Sequence, residues 1–354
     1  MSNAMVIGAG MIARQHIAAI QASGGATCAA VCDLSPGLAA CAAEQYGIER
    51  WDTDYRKLLK EIRPDVVHVA TPAHSHLSIA RDALDAGAHV LVEKPITESW
   101  DQWVELREHA RQCGRWVLED HDYQYNRPTQ RILAAIGDGS FGEVTHVDAF
   151  YCVNIHGNGS AFADPNLAHP TLALPGGAIH DFLPHLAYLV TLFVGPMRSV
   201  QTIWQKREPH SVLPHDEFRA IIEANRSTAT IGFSSHTSPP GYWLTVYGTR
   251  AMARVNYFEH RLTFAQGGQT LRKRLTEGAY IWQAAATNLQ AKLSGGPDVY
   301  EGLHELVKRL YEALSTDGEP PVTVTQIDAA NRLVFALAAQ ANPHQPKATV
   351  EARP

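Results

Sequence analysis

The sequence has no CxxC pair and no cysteine framework of the kind that staples small secreted folds. Its five cysteines, Cys28, Cys32, Cys41, Cys113 and Cys152, are odd in number and scattered, which fits a reduced, cytoplasmic protein. No basic run is longer than Arg272-Lys273-Arg274, and the formal net charge is −6; both count against nucleic acid as a partner. The longest membrane-like run, Leu186 to Val194, falls far short of the roughly 20 residues a bilayer span needs, so no membrane partner is expected. Met1-Ser2-Asn3-Ala4 lacks the charged-then-apolar pattern of a leader. No internal repeat or low-complexity tract appears. His156, His169, His180 and His185 are numerous, but no H-E-x-x-H or similar ligand spacing joins them, and no metal is expected.

What the chain has is length and order. Its 354 residues, 45% hydrophobic and 19% charged, suffice for two sizeable cores. Ala4 to Ile7 reads as a short apolar strand, followed by Gly8-Ala9-Gly10-Met11-Ile12-Ala13 and a helical stretch. This is a G-x-G-x-x-A dinucleotide fingerprint: Gly8 for the tight turn, Gly10 for close approach of a pyrophosphate, Ala13 for helix–strand packing. Met11 and Ile12 lie between them, where helix N–H groups meet phosphate. A second strand, Thr27 to Cys32, ends in Asp33, 23 positions after Gly10. An acid there accepts from ribose hydroxyls and repels a 2′-phosphate. With no arginine at 34–36, NAD is expected rather than NADP; the alternative for Asp33 is a turn or cap residue.

The alternation continues through strands at Val66 to Ala70, His89 to Val92 and Trp116 to Glu119, with helices between. Repeated β-α-β predicts a parallel sheet with helices on both faces, and ligands outside the carboxyl ends of its strands. Thr71, Pro72 and His76 fall in one such rim loop. Glu93-Lys94-Pro95 falls in another, so Lys94 is set to meet a ligand. Further on, Asp181 and His185 are spaced i, i+4 and share one face if helical. The competing readings are Asp181 as a helix N-cap, with Pro184 at the third helical position, and His185 as a packed histidine. Asn154 to Gly177, rich in Asn, Gly, Pro and His, has no periodicity and reads as a substrate-covering loop. Beyond it, Ser199 to Trp204, Phe218 to Ala224, Thr228 to Ser235, Trp243 to Tyr247, Ala253 to Tyr257, Leu262 to Phe264 and Thr270 to Leu275 read as antiparallel strands, and helices close the chain. A broad face carrying Tyr, Trp, Phe and Val suggests subunit packing in a homo-oligomer.

Gly8-x-Gly10-x-x-Ala13, Asp33, Thr71-Pro72, His76 and Glu93-Lys94-Pro95 together resemble the glucose–fructose oxidoreductase/inositol dehydrogenase (Gfo/Idh/MocA) family in order and spacing. The resemblance implies an N-terminal Rossmann domain binding NAD (1–121) and a C-terminal α/β domain with an open, mostly antiparallel sheet for substrate and oligomer contacts (122–354). It implies that Glu93 and Lys94 border the cofactor, that Lys94 touches nicotinamide and substrate, often with a cis bond before Pro95, and that the protein forms dimers or tetramers. Gly176-Gly177…Asp181-x-x-x-His185 resembles the family's acid–base signature. One departure is visible: Asp122-Tyr123-Gln124-Tyr125-Asn126 stands where many members carry Arg-Phe, so substrate contacts from Tyr123 and from His169 in the covering loop follow no family pattern. The expected function is oxidation of a secondary alcohol in a sugar, sugar derivative or cyclitol. The alternatives are an NAD-retaining glycosidase using transient redox, or a dinucleotide-sensing regulatory protein.

Overall fold

The structure is a computed structural model describing residues 1–157, 160, 162, 169–266, 278, 282, 286 and 300–341. The expected strand Thr270 to Leu275 lies outside them. In chain order the elements of the first half are β1 (Ser2–Ile7), α1 (Met11–Ser23), β2 (Ala26–Cys32), α2 (Pro36–Tyr46), β3 (Arg50–Asp52), α3 (Tyr55–Ile62), β4 (Val66–Val69), α4 (His76–Asp85), β5 (His89–Val92), α5 (Trp100–Cys113) and β6 (Val117–Glu119). Then come α6 (Arg127–Gly137), β7 (Val144–Cys152), α7 (Leu183–Val194), β8 (Met197–Gln205), β9 (Glu217–Ala224), β10 (Thr228–Ser234), β11 (Gly241–Gly248), β12 (Ala251–Asn256), β13 (Arg261–Gln266), α8 (Glu301–Thr316) and α9 (Val324–Ala338).

Two compact units result. The first is Met1–Tyr125 with Tyr300–Asp328; the second holds the described residues of Asn126–Val299 and Ala329–Pro354. The expected single cut after residue 121 therefore omits a return: α8 belongs with the first unit, where Leu303, Leu306, Val307, Leu310 and Tyr311 join its core. The first sheet runs β3-β2-β1-β4-β5-β6, all parallel, the doubly wound order whose reversal lies between β1 and β4. β4 is fully buried, as are Val90, Leu91 and Val92 of β5. Helices cover both faces, which is why these strands read as unbroken apolar runs. Each such buried aliphatic side chain contributes about 1.5–3 kcal/mol.

The second sheet runs β13-β12-β11-β7-β10-β9-β8. Every pair is antiparallel except β7 with β10. β9 alternates buried and exposed along its length, the pattern of a sheet covered on one face. On another stretch of one face, β7, β11 and β12 line up Phe150, Trp243, Tyr247, Met252 and Arg254 around a shallow hollow. Among the described residues no helix is long and apolar enough to cross a membrane.

Candidate active site

In the first unit the rim residues follow from the turn after β1. Gly8 has φ +105°, and a Cβ there would lie 2.3 Å from the Ala70 carbonyl oxygen at the end of β4. Only glycine fits that close approach. A Cβ on Gly10 would meet nothing within 4 Å. Helix α1 starts there with no side-chain cap and no acid in its first turn, Met11 is exposed and Ile12 half-buried. A bare helix N-terminus with open space before it suits an anionic diphosphate, so these residues fit the dinucleotide. Asp33 sits alongside: its Oδ2 accepts the Ala9 N–H at 2.8 Å and its Oδ1 the Ser35 N–H at 2.8 Å. The cap of α2 is Ser35, not Asp33. Two amides hold the carboxylate beside the glycine turn, and its other lone pairs remain to take hydroxyl hydrogens. Replacing Asp33 by Ala should shrink the preference for NAD over NADP in kcat/KM at least tenfold; an unchanged ratio in coenzyme kinetics would remove Asp33 from ribose recognition.

Thr71 accepts from the Ser75 hydroxyl at 2.8 Å, and Pro72 opens the short turn leading into α4. His76 is 1% exposed. Its Nδ1 lies 3.0 Å from the Pro95 carbonyl and its Nε2 2.7 Å from the Thr71 carbonyl. Both ring nitrogens thus join backbone to backbone, and the ring ties the loop after β4 to the turn after β5. Burial pushes its pKa down, although the two carbonyls pull the other way.

At the end of β5, Glu93 is buried and Lys94 half-buried, and the Lys94–Pro95 bond is cis. Glu93 Oε1 accepts from His16 Nε2 at 3.0 Å, and its Oε2 from the Lys94 N–H at 3.2 Å. Asp120, also buried, hydrogen-bonds the same carboxylate: desolvation and then the Glu93 charge drive its pKa up. Burial opposes ionisation of Glu93 too, but His16, Lys94 and Asp120 outweigh it and hold its pKa low. The two carboxyls are thus driven in opposite directions, Glu93 down and Asp120 up. Behind Glu93 runs a line of groups that no motif announced. His16 Nδ1 is 2.9 Å from His68 Nδ1, and His68 Nε2 is 2.9 Å from the Tyr311 hydroxyl. Every ring nitrogen of the two imidazoles thus has a partner in one line that runs from the Tyr311 hydroxyl to the Glu93 carboxylate. The one sequence clue is His16 itself, a polar residue on the buried stripe Ala13, Ile17, Ile20 of α1.

This line has a stability consequence. Desolvation and the neighbouring His16 hold His68 well below its ordinary 6.5. The unfolded chain then binds a proton that the folded one does not, so stability is full above pH 6.5 and falls as pH drops below it, by about 1.4 kcal/mol per pH unit for that proton. His68→Gln should flatten the acid limb of urea-denaturation stability between pH 6.5 and 5 by about one proton; an unaltered slope would contradict the neutral buried assignment.

The second unit carries the other pair. Gly177–Asp181 forms a 3-10 turn, and α7 starts at Leu183 after Phe182 as N-cap, with Pro184 in its first turn. The expectation of Asp181 as N-cap and Pro184 at the third position is corrected. The chain reaches α7 through a tighter 3-10 turn, so Pro184 falls one place earlier, where a missing N–H costs nothing. The glycines are dictated locally: Gly177 has φ +57° against Pro214, and a Cβ on Gly176 would sit 3.0 Å from Trp204. His185 lies in the first turn of α7. Its Nδ1 is 3.0 Å from the Tyr188 hydroxyl, and its carbonyl accepts from the Tyr242 hydroxyl at 2.8 Å. Tyr188 was not foreseen; its only signal is its place three residues on, one helical turn away. Asp181 is half-buried. Of the residues expected near substrate, Tyr123 is buried in the 3-10 turn Asp122–Tyr125 of the first unit. In the second, His169 caps the turn Pro170–Ala173, with its Nδ1 2.7 Å from the Thr171 hydroxyl and its ring on Phe162.

Residues 2–121 match the family model "Oxidoreductase family, NAD-binding Rossmann fold", and residues 129–254 match "GFO/IDH/MocA C-terminal domain". The D-glucoside 3-dehydrogenase of Escherichia coli (strain K12) is 33% identical over 141 residues, covering 39% of this chain; the match spans 40% of that protein's length. Two solved structures share the fold over 96% of this chain. One is the WlbA dehydrogenase from Bordetella pertussis in complex with NADH and UDP-GlcNAcA (TM-score 0.77, 20% identity, 95% of that chain). The other is a levoglucosan dehydrogenase in complex with NADH and levoglucosan (TM-score 0.76, 19% identity, 98% of that chain). With residues 2–121 matching the NAD-binding domain and residues 129–254 the companion C-terminal domain, the chain belongs to the GFO/IDH/MocA oxidoreductase family.

Proposed function

We propose that this protein is an NAD-dependent dehydrogenase that oxidises a secondary alcohol of a sugar, sugar derivative or cyclitol. The observation that carries the reading is the turn after β5: a half-buried lysine fixed by a buried, ionised Glu93, on the sheet end that also carries the open glycine turn and Asp33. The D-glucoside 3-dehydrogenase relative and the sugar-bound structures of the same fold support the substrate class. A bound NAD would supply the acceptor for the hydride that the carbinol carbon gives up. The chain's own residues do the rest. Gly10 and the first amides of α1 would hold its diphosphate, and Asp33 its ribose. His185 takes the hydroxyl proton as general base. Asp181 stabilises its charged form, and Tyr188 fixes the ring through Nδ1. Lys94 sets positive charge beside the developing alkoxide.

A panel of sugars, nucleotide sugars and inositols assayed for NADH formation tests the reading. Net reduction of NAD by one class supports it. Turnover of a glycoside with no net NADH would replace it with the redox-assisted glycosidase; a glycosyl hydrolase family 109 protein of Akkermansia muciniphila is 27% identical over 154 residues. Bound NAD with no turnover on the panel would point to a regulatory protein. The open face around Phe150, Trp243 and Tyr247 is the part we assign to subunit packing. Light scattering at micromolar concentration should then give a dimer or tetramer, and a Trp243→Glu variant should shift it toward monomer; a wild-type monomer would count against the assignment.

A further inference from the structure

Three neighbouring strands of the second sheet end in one row. Ser234 of β10 pairs with Cys152 of β7 on one side and Glu217 of β9 on the other. Just beyond that row the three chains deliver His156, His236 and Asp216. His156 Nε2 lies 3.3 Å and His236 Nε2 3.1 Å from the same Asp216 Oδ2, and the three ligand atoms lie within 4.8 Å of one another. Asp216 is fully buried, while the His236 side chain is 31% exposed.

We propose that His156, Asp216 and His236 form a binding site for a divalent cation of the zinc class, with a fourth position open to solvent. Three observations carry it. First, metal bonds of about 2.0–2.2 Å in tetrahedral geometry put adjacent ligand atoms roughly 3.3 Å apart, and both measured separations fit that edge. Second, each oxygen of the Asp216 carboxylate already accepts one backbone N–H. Oδ1 accepts the Arg207 N–H at 2.7 Å, and Oδ2 the Glu208 N–H at 2.8 Å. One lone pair of Oδ2 remains, yet two imidazoles converge on it; a shared cation satisfies both where a single acceptor cannot. Third, His156 Nε2 is buried and, despite its 3.3 Å approach, makes no hydrogen bond of acceptable angle, the arrangement of a lone pair aimed beside the oxygen rather than a proton aimed at it. Two neutral imidazoles and one carboxylate are a donor set for zinc or a neighbouring first-row ion. The two amides on Asp216 orient the carboxylate as outer partners do in such sites. Bound there, the cation would pin the chain leaving β7 to the ends of β9 and β10. These residues are separate from those given roles in hydride transfer.

The test uses the full-length protein, freed of any tag and stripped with a chelator. A Cys113→Ser background removes a competing cluster, since Asp85, His109 and Cys113 also converge in the first unit. Zn2+ titrated against a chromophoric chelator should bind one equivalent and raise the thermal midpoint. Co2+ should give the absorption of a four-coordinate N/O site. His236→Ala, a half-exposed position chosen to leave the fold intact by circular dichroism, should weaken Zn2+ at least tenfold and abolish both signals, and His156→Ala should do the same. No binding, binding that His236→Ala leaves within twofold, or a loss with one variant and not the other would overturn the site.

Discussion

Lys94→Ala should lower kcat by about 10²–10³-fold, the usual cost of deleting one group that stabilises developing transition-state charge. The surrounding contacts fix the turn that carries Lys94. Lys94 follows a strand whose last three residues are buried, and its own N–H is held by Glu93 Oε2 at 3.2 Å. Glu93 in turn is held by His16 at 3.0 Å. The backbone that carries Lys94 is therefore anchored to helix α1, the same helix whose N-terminus we assign to the diphosphate. A purely structural role makes a different prediction. If Lys94 serves only to offset the buried Glu93 and Asp120, its loss should depress the thermal midpoint and leave kcat within about twofold. Steady-state kinetics beside a melting curve, with the correct substrate, separates the two, and kcat within twofold of wild type would withdraw Lys94 from the chemistry.

What the sequence displays and what it hides have physical reasons. β4 and β5 were legible because strands covered on both faces must be apolar throughout. The rim loops were legible because glycine at Gly8 answers to a backbone clash at 2.3 Å that no other residue survives. β3 was not legible: Arg50-Trp51-Asp52 is a three-residue edge strand, mostly exposed, with no apolar period to read. The start of α7 was misplaced because a proline signals only the first turn, not which position in it. The line Tyr311–His68–His16–Glu93 was invisible for a different reason. Its bonded neighbours lie up to 243 positions apart, and a buried hydrogen-bonded polar chain leaves no spacing rule in sequence. The same holds for His156, Asp216 and His236, which only the strand register assembles. His76 shows the reverse case: its position in the motif was plain, but its two carbonyl partners assign it to bracing the rim.

The second large effect belongs to His185. Removing a general base typically costs 10²–10⁴-fold, so His185→Ala should lower kcat by that range while NAD affinity barely changes, because the base acts on the substrate hydroxyl. Asp181→Asn keeps shape and removes charge. If Asp181 supports the imidazolium, the base's apparent pKa should fall in the pH–rate profile, and kcat should drop by less than in His185→Ala. The competing account for Asp181 was capping, under which Asn would be silent, since it caps about as well. That account has lost its footing: the N-cap of α7 is Phe182 and carries no side-chain cap bond. Tyr188→Phe supplies a control for ring position. It deletes the 3.0 Å partner of Nδ1 without touching charge, so kcat should fall while the apparent pKa moves far less than in Asp181→Asn. Loss of the pKa shift in Asp181→Asn, together with kcat within about twofold of wild type for His185→Ala, would leave His185 a packed histidine at the head of a buried helix and would require another base.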